Sequence, residues 1–221
     1  MVSVEAEPGA ALQRRRSGGR PSRLESERLS GRILDVSTAL FLKDGFEATS
    51  IEAVARRAGI SKRTFYHRFP GKEALFEAVV RRLIDRWTPS FDARLLEGPS
   101  LAVTLRQIAS YMLEVALSPE ALALHRVVIA EAQRFPGLAR ILHELGAAPG
   151  IERISRLIDQ RIAAGELRPI DSRFAAEQFI LMVVSGPRRR ALGLGAMMSR
   201  AELERWLDDT LALFFAGSRA S

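Results

Sequence analysis

The sequence predicts an all-α fold in two parts, a small basic helical unit followed by a larger one close to neutral. Three observations carry that prediction. Apolar residues recur at helical spacing through most of the 221 residues, and neither a strand-length alternating segment nor an internal repeat interrupts them. Pro and Gly punctuate the periodic stretches. Charge is also unevenly shared: residues 11–90 hold 17 Lys or Arg against 9 Asp or Glu, whereas residues 91–221 hold 16 against 15. Arg outnumbers Lys 30 to 3, which explains the kind of cation but not its segregation. A basic footprint confined to one unit fits contact with phosphates.

Several classes are excluded. There is no cysteine, hence no disulfide framework, thiol chemistry or Cys-based zinc site. The longest unbroken apolar run, residues 179–184, is far short of a membrane span. No signal-peptide core opens the chain, so cytoplasmic residence is expected. The sequence has no Gly-x-Ser-x-Gly elbow, phosphate-cradling Gly loop or His-Glu-x-x-His pair. His67, His125 and His143 are scattered, and Gly193-Leu194-Gly195 is too short for a nucleotide fingerprint. Neither a catalytic constellation nor a metal or cofactor site is expected.

The elements follow in order. Residues 1–21 are rich in Gly, Ala, Ser and Arg without periodicity and read as a disordered basic arm. Such an arm can follow phosphates or enter a minor groove, or simply solubilise the chain. A first helix spans Leu24 to Asp44, with Ile33, Ser37, Leu40 and Phe41 inward and Gly45-Phe46 as its C-cap. Residues 50–69 read as two short helices across a tight turn. Thr49 and Ser50 are N-cap residues, and Thr49 with Glu52 has capping-box spacing. Ile51, Val54, Ala55 and Ala58 share a face, Gly59 ends the helix, and Ile60 plugs the turn. Ser61 caps the second helix, which buries Phe65 and Phe69 and presents Lys62, Arg63, Thr64, Tyr66, His67 and Arg68. A short basic helix braced by another across a Gly turn suits a DNA major groove.

A fourth helix runs from Lys72 to about Trp87, with Leu75, Val79 and Leu83 in a stripe and Pro89 as its stop. Further helices are expected over 100–117, 119–134, 136–146, 150–165, 172–192 and 200–216. Ser118-Pro119 opens one of them, Gly165 ends another, and Asp171 or Ser172 caps the next. Gly186-Pro187 is expected to kink or break the long helix that contains it.

The run over residues 33–80 resembles the DNA-binding domain of the tetracycline-repressor (TetR) family, with the likeness reaching from about residue 28 to 87. Lys43-Asp44-Gly45-Phe46, Ala48-Thr49-Ser50 and Val54-Ala55-Arg56-Arg57-Ala58-Gly59 carry it first. Ser61-Lys62, Thr64-Phe65-Tyr66 and Phe69-Pro70-Gly71-Lys72-Glu73-Ala74-Leu75 complete it. Arg63 stands where the family often has Gly, and Arg68 where it often has His. The resemblance implies a helix-turn-helix DNA-binding domain over 22–87, with its motif at 50–69, and a helical ligand-binding and dimerisation domain over 88–221. It implies a homodimer that binds double-stranded operator DNA, most often as a repressor, and is released by a small-molecule effector. A DNA-binding regulator or architectural protein without such an effector, controlled by a protein partner, is the alternative.

Residue roles follow from the same resemblance. Ser50, with Thr49, would hold a phosphate. Lys62, Arg63, Thr64 and His67 would meet base edges, Arg63 gripping a guanine and Thr64 a thymine methyl. Tyr66 and Lys72 would contact phosphates, and Arg68 would face phosphate or solvent. Trp87, Phe91, Tyr111, Met112, His125, Phe135 and Phe179 are candidates for an apolar ligand pocket. Leu203, Leu207, Thr210, Leu211 and Phe214 form one stripe, and Phe179, Met182 and Val183 another. These would form a four-helix dimer interface or the protomer's own core. Helix four, with Lys72 at one end and the pocket at the other, would be the lever between the two.

Overall fold

A computed structural model describes residues 23–87, 98 and 100–218, so the expected basic arm, Pro89 and Phe91 lie outside the described residues. Among the described residues the chain is helical and forms no β-strand. The first unit comprises α1 (Arg23–Asp44), α2 (Ile51–Ala58), α3 (Lys62–Tyr66) and α4 (Lys72–Trp87). The second comprises α5 (Leu101–Ala116), α6 (Pro119–Glu131), α7 (Pro136–Leu142), α8 (Ala148–Ala163), α9 (Ser172–Ala191) and α10 (Arg200–Ser218). No helix among the described residues is long and apolar enough to cross a membrane.

Caps set most of these boundaries. Ser100, Ser118 and Asp171 each accept a backbone N–H from the first turn of α5, α6 and α9. Gly165 ends the turn after α8 at φ 74°, a left-handed conformation that glycine adopts without strain. The expected break between residues 146 and 150 is absent. A π-helical turn, His143–Ala147, joins α7 to α8, with the Ala148 N–H bonded to the His143 carbonyl. Pro149 thus falls in the first turn of α8, directly after the π turn.

Of the kink or break expected at Gly186-Pro187, the break is absent, because α9 runs through Pro187 to Ala191. Proline removes the donor that would serve the carbonyl four residues earlier, that of Val183. The Trp206 indole Nε1–H on α10 replaces it, donating to the Val183 carbonyl at 3.0 Å and the Met182 carbonyl at 3.1 Å. Gly186 makes room for that ring, since a Cβ at this position would lie 2.5 Å from Cη2 and 2.7 Å from Cζ2 of Trp206.

Two apolar cores result. One gathers α5, α8, α9 and α10 around Leu105, Ile108, Ile158, Phe179, Val183 and Phe214. The other holds α1–α4 together through Ile33, Phe41, Phe46, Phe65, Leu75, Phe76 and Val79, and also takes in Leu124, Val127 and Val128 of α6 with Leu138 and Ile141 of α7. The core therefore does not divide at residue 87: α6 and α7 pack into the first unit.

The Gly186 notch yields a test whose sign is unusual. In an ordinary helix, Gly→Ala stabilises by about 0.5–1 kcal/mol. Here Gly186→Ala drives a methyl into a rigid ring, an overpacking cost of about 1–3 kcal/mol. Net destabilisation is expected in urea denaturation, and a gain in stability would show that the notch is not filled.

Candidate nucleic-acid interface and ligand cavity

The α2–α3 pair is locked by local bonds that its sequence dictates. Ser50 caps α2, its hydroxyl accepting the Ala53 N–H at 3.1 Å. The expected Thr49–Glu52 capping box does not form. Thr49 is buried and donates its hydroxyl to the Gly45 carbonyl at 2.7 Å, so it braces the loop and is not available to a phosphate. Gly59 takes φ 66°, and the Ile60 N–H closes back on the Ala55 carbonyl at 2.9 Å. Ser61 then caps α3 by accepting the Thr64 N–H at 3.1 Å, and its hydroxyl also bonds the Thr64 hydroxyl at 2.8 Å. Thr64 is thus tied to the cap. Phe65 is fully buried and anchors α3 from beneath.

Above that anchor, Lys62, Arg63, Tyr66 and His67 are exposed. Arg63 and His67 make no side-chain hydrogen bond or ion pair among the described residues. Lys62 forms an ion pair with Glu52 on α2, which raises the lysine pKa and lowers that of the carboxyl. Arg68 turns inward, against both expectations for it. Its guanidinium donates to the Ser30 hydroxyl at 2.7 Å and to the carbonyl and hydroxyl of Ser26 at 3.3 and 3.2 Å, tying the end of α3 to α1. Lys72 donates to the Glu47 carbonyl at 3.0 Å and stands 4.6 Å from the Phe46 ring centre. Partial burial lowers its pKa, with Glu131 opposing. An ammonium has three donors, so two remain for a phosphate.

A cavity of about 700 Å³ opens behind this unit, between α4, α5, α6, the α7–α8 turn and α9. Trp87, Tyr111, Met112 and His125 are on its wall, with Ile108, Leu124, Leu142 and Ile154. Tyr111 donates its hydroxyl hydrogen to the Trp87 carbonyl. Burial raises the Tyr111 pKa, Glu114 adds to the rise and Arg153 opposes it. Burial lowers the His125 pKa, and Arg188 lowers it further.

Other assignments need correction. Phe135 is not on the cavity wall but packs edge-on against Phe46 at 4.9 Å. Phe179 is fully buried in the second core, 5.2 Å from Phe214. The expected dimer stripes also turn inward. Leu207, Thr210, Leu211 and Phe214 are buried within the protomer with Val183, and Leu203 and Met182 pack half-buried on the same core. The large apolar side chains that α9 and α10 leave exposed are Phe174, Leu181 and Leu213.

The sequence reading also missed Ile180, Val184 and Arg188, which line the cavity from α9 at four-residue spacing. The spacing is a legible signal, but a helix taken to break at Gly186-Pro187 leaves Arg188 off the face. A second omission is the junction of α6 and α7. There Glu131 accepts the Glu47 N–H at 3.1 Å, Arg134 forms an ion pair with Glu47, and Phe135 covers Phe46.

Residues 33–79 match the family of bacterial regulatory proteins of the TetR type. Residues 103–217, more than half of the chain, match the C-terminal domain of AefR-like transcriptional repressors. The chain belongs to the TetR family. A solved structure assigned to the TetR family, from Mesorhizobium loti, is 30% identical with a TM-score of 0.75, and the match covers 90% of this chain and all of that one. The flavonoid-responsive regulator FrrA is 29% identical with a TM-score of 0.77, over 87% of this chain and 98% of FrrA. The transcriptional regulator RutR of Escherichia coli K12 is 31% identical over 142 residues, 63% of this chain and 64% of RutR. The two TetR-family matches fall on the α1–α4 unit and on the span from α5 to α10, so the helix-turn-helix and the cavity belong to different parts of one family architecture.

The Lys62–Glu52 pair yields a prediction. Glu52 sets a carboxylate beside the exposed cations of α3 and holds one of them. Glu52→Gln should tighten binding to double-stranded DNA and steepen its salt dependence, because one more cation is free to displace counterions. Unchanged anisotropy titrations would mean that Lys62 does not meet the DNA.

Proposed function

We propose that the protein is a dimeric, sequence-specific DNA-binding regulator of the cytoplasm, a repressor that a small apolar or amphipathic ligand releases from its operator. The observation that carries this reading is a continuous set of contacts from the exposed face of α3 to the cavity. Helix α4 has Lys72 beside the interface and Ile84, Asp85 and Trp87 on the cavity wall. Helices α6 and α7 line the cavity through Leu124, His125, Val128 and Ala139, and their junction grips Phe46 and Glu47 just before α2. A ligand that displaces these walls moves the recognition helix. The coupling required is about 1–3 kcal/mol, a 5–150-fold change in affinity.

In this reading Lys62, Arg63 and His67 meet base edges, with Arg63 suited to the paired acceptors of guanine. Ser50, Tyr66 and Lys72 position the backbone. Thr64, its hydroxyl bonded to Ser61, still offers its methyl for contact with a thymine methyl. A recognition helix of five residues reads few bases, so two copies about 34 Å apart are needed. Phe174 and Leu181 are two turns apart on α9, and Leu213 adjoins Phe214, which meets Phe179 of α9. These exposed groups support pairing through α9 and α10.

Fluorescence anisotropy with the DNA upstream of the protein's own gene, against random DNA across a salt series, tests the reading. A specificity ratio of about a thousand or more is expected. Arg63→Ala should cost roughly 1–3 kcal/mol on the operator and relax preference at one base pair, whereas Lys72→Ala should weaken all sequences alike. Equal losses on operator and random DNA for both variants would overturn the assignment.

For the dimer, Leu181→Arg combined with Leu213→Arg should give a monomer by analytical ultracentrifugation and abolish tight operator binding while preserving helical circular dichroism. A variant that stays dimeric would move the interface elsewhere.

A further inference from the structure

Arg188 stands at the end of the Ile180–Val184–Arg188 stripe, half-buried against the cavity, and its guanidinium makes no hydrogen bond or ion pair among the described residues. Desolvation lowers its pKa, and no carboxylate opposes that shift. Arginine nonetheless stays protonated. A positive charge therefore faces an apolar chamber with no counter-charge among the described residues, which is costly unless something supplies one.

The other polar groups on the wall do not supply it. Asp85 is exposed and forms no ion pair with Arg188. Arg153 is a second cation, and His143 is exposed. Tyr111 has committed its one hydroxyl hydrogen to the Trp87 carbonyl, so it cannot donate to a ligand as well. His125, next to Arg188 and held neutral by burial and by that charge, keeps a ring N–H to offer. Besides Arg153, the cavity wall thus offers the guanidinium of Arg188 and a neutral imidazole, set among Trp87, Ile108, Met112 and Ile154. A volume of about 700 Å³ suits one small organic molecule.

Resting on the ligand-release reading above, we propose that the cavity takes an organic anion, an apolar or aromatic body bearing one carboxylate that pairs with Arg188. The two carboxylate oxygens match the parallel N–H groups of the guanidinium, and the pairing strengthens in a partly desolvated site. His125 adds a hydrogen bond to the same group, and the apolar wall takes the rest of the molecule.

The test uses the full chain with decanoate, cinnamate and naphthylacetate, each paired with its own carboxamide, in thermal-shift and calorimetric titrations. At least one carboxylate should raise the Tm, with its carboxamide bound roughly tenfold or more weakly. Arg188→Gln should lose that discrimination while its unliganded Tm is equal to or above the parent's, since it removes an uncompensated charge. Arg188→Lys should keep the preference at reduced affinity, and it carries the comparison if the Gln variant does not fold. Carboxamides that bind as tightly as the acids, or full carboxylate affinity in Arg188→Gln, would overturn the anion proposal and leave the ligand cavity standing. Binding of neither member of any pair would remove the cavity reading itself, and the anion proposal with it.

Discussion

A proline in mid-helix deprives one carbonyl of its donor, and the second half of this protein is organised around the replacement. The Trp206 indole reaches from α10 to the carbonyls of Met182 and Val183, through a gap that only Gly186 leaves open. This contact supplies the missing donor where α9 continues through Pro187, and it ties α10 beside it. It also carries the last turns of α9 far enough for Arg188 to reach the cavity wall. A helix that stopped at Gly186 would end the Ile180–Val184 face one turn early. The cavity would then be uniformly apolar on that side, and nothing in it would favour an anion.

The second organising element is aromatic. Phe41, Phe46 and Phe76 pack within 5.7 Å of one another at the centre of the α1–α4 unit, and Phe135 closes over Phe46 from the α6–α7 junction. Because packed rings interdigitate with few voids, a shift of one is felt by its neighbours. Phe46 also immediately precedes Glu47, whose backbone meets both Lys72 and Glu131. The loop that leads into α2 is therefore held by α4 and the α6–α7 junction, elements whose other residues line the cavity. Phe76 of α4 and Phe135 of the α6–α7 junction both pack on Phe46, so α6 and α7 share with α4 the contacts to this loop.

Legibility in the sequence follows the range of the interactions involved. Ser50, Gly59 and Ser61 act on backbone groups within a few residues, so their caps and the α2–α3 turn could be read directly. Phe65 could be assigned to the core because its spacing leaves it no other face. Arg68 and Lys72 read as surface groups, but each finds a carbonyl or hydroxyl far away in the chain: Ser26 and Ser30 for Arg68, Glu47 for Lys72. Only the fold sets those distances. The stripes on α9 and α10 were correctly seen as apolar, but periodicity does not say whether a face meets its own chain or a second copy.

The sequence by itself determined the all-helical class, the family, the helix-turn-helix and the basic face of α3, because caps, glycine turns and helical periodicity are local properties of the chain. The tertiary structure alone decided which aromatic residues line the cavity, which faces of α9 and α10 point outward, and that α9 survives its proline. Those outcomes depend on groups more than 20 residues apart in the chain, such as Trp206 and Met182, Phe46 and Phe135, and Arg188 and His125. Burial and the supply of hydrogen-bond partners are properties of the packed molecule, and they decide what each of these side chains does.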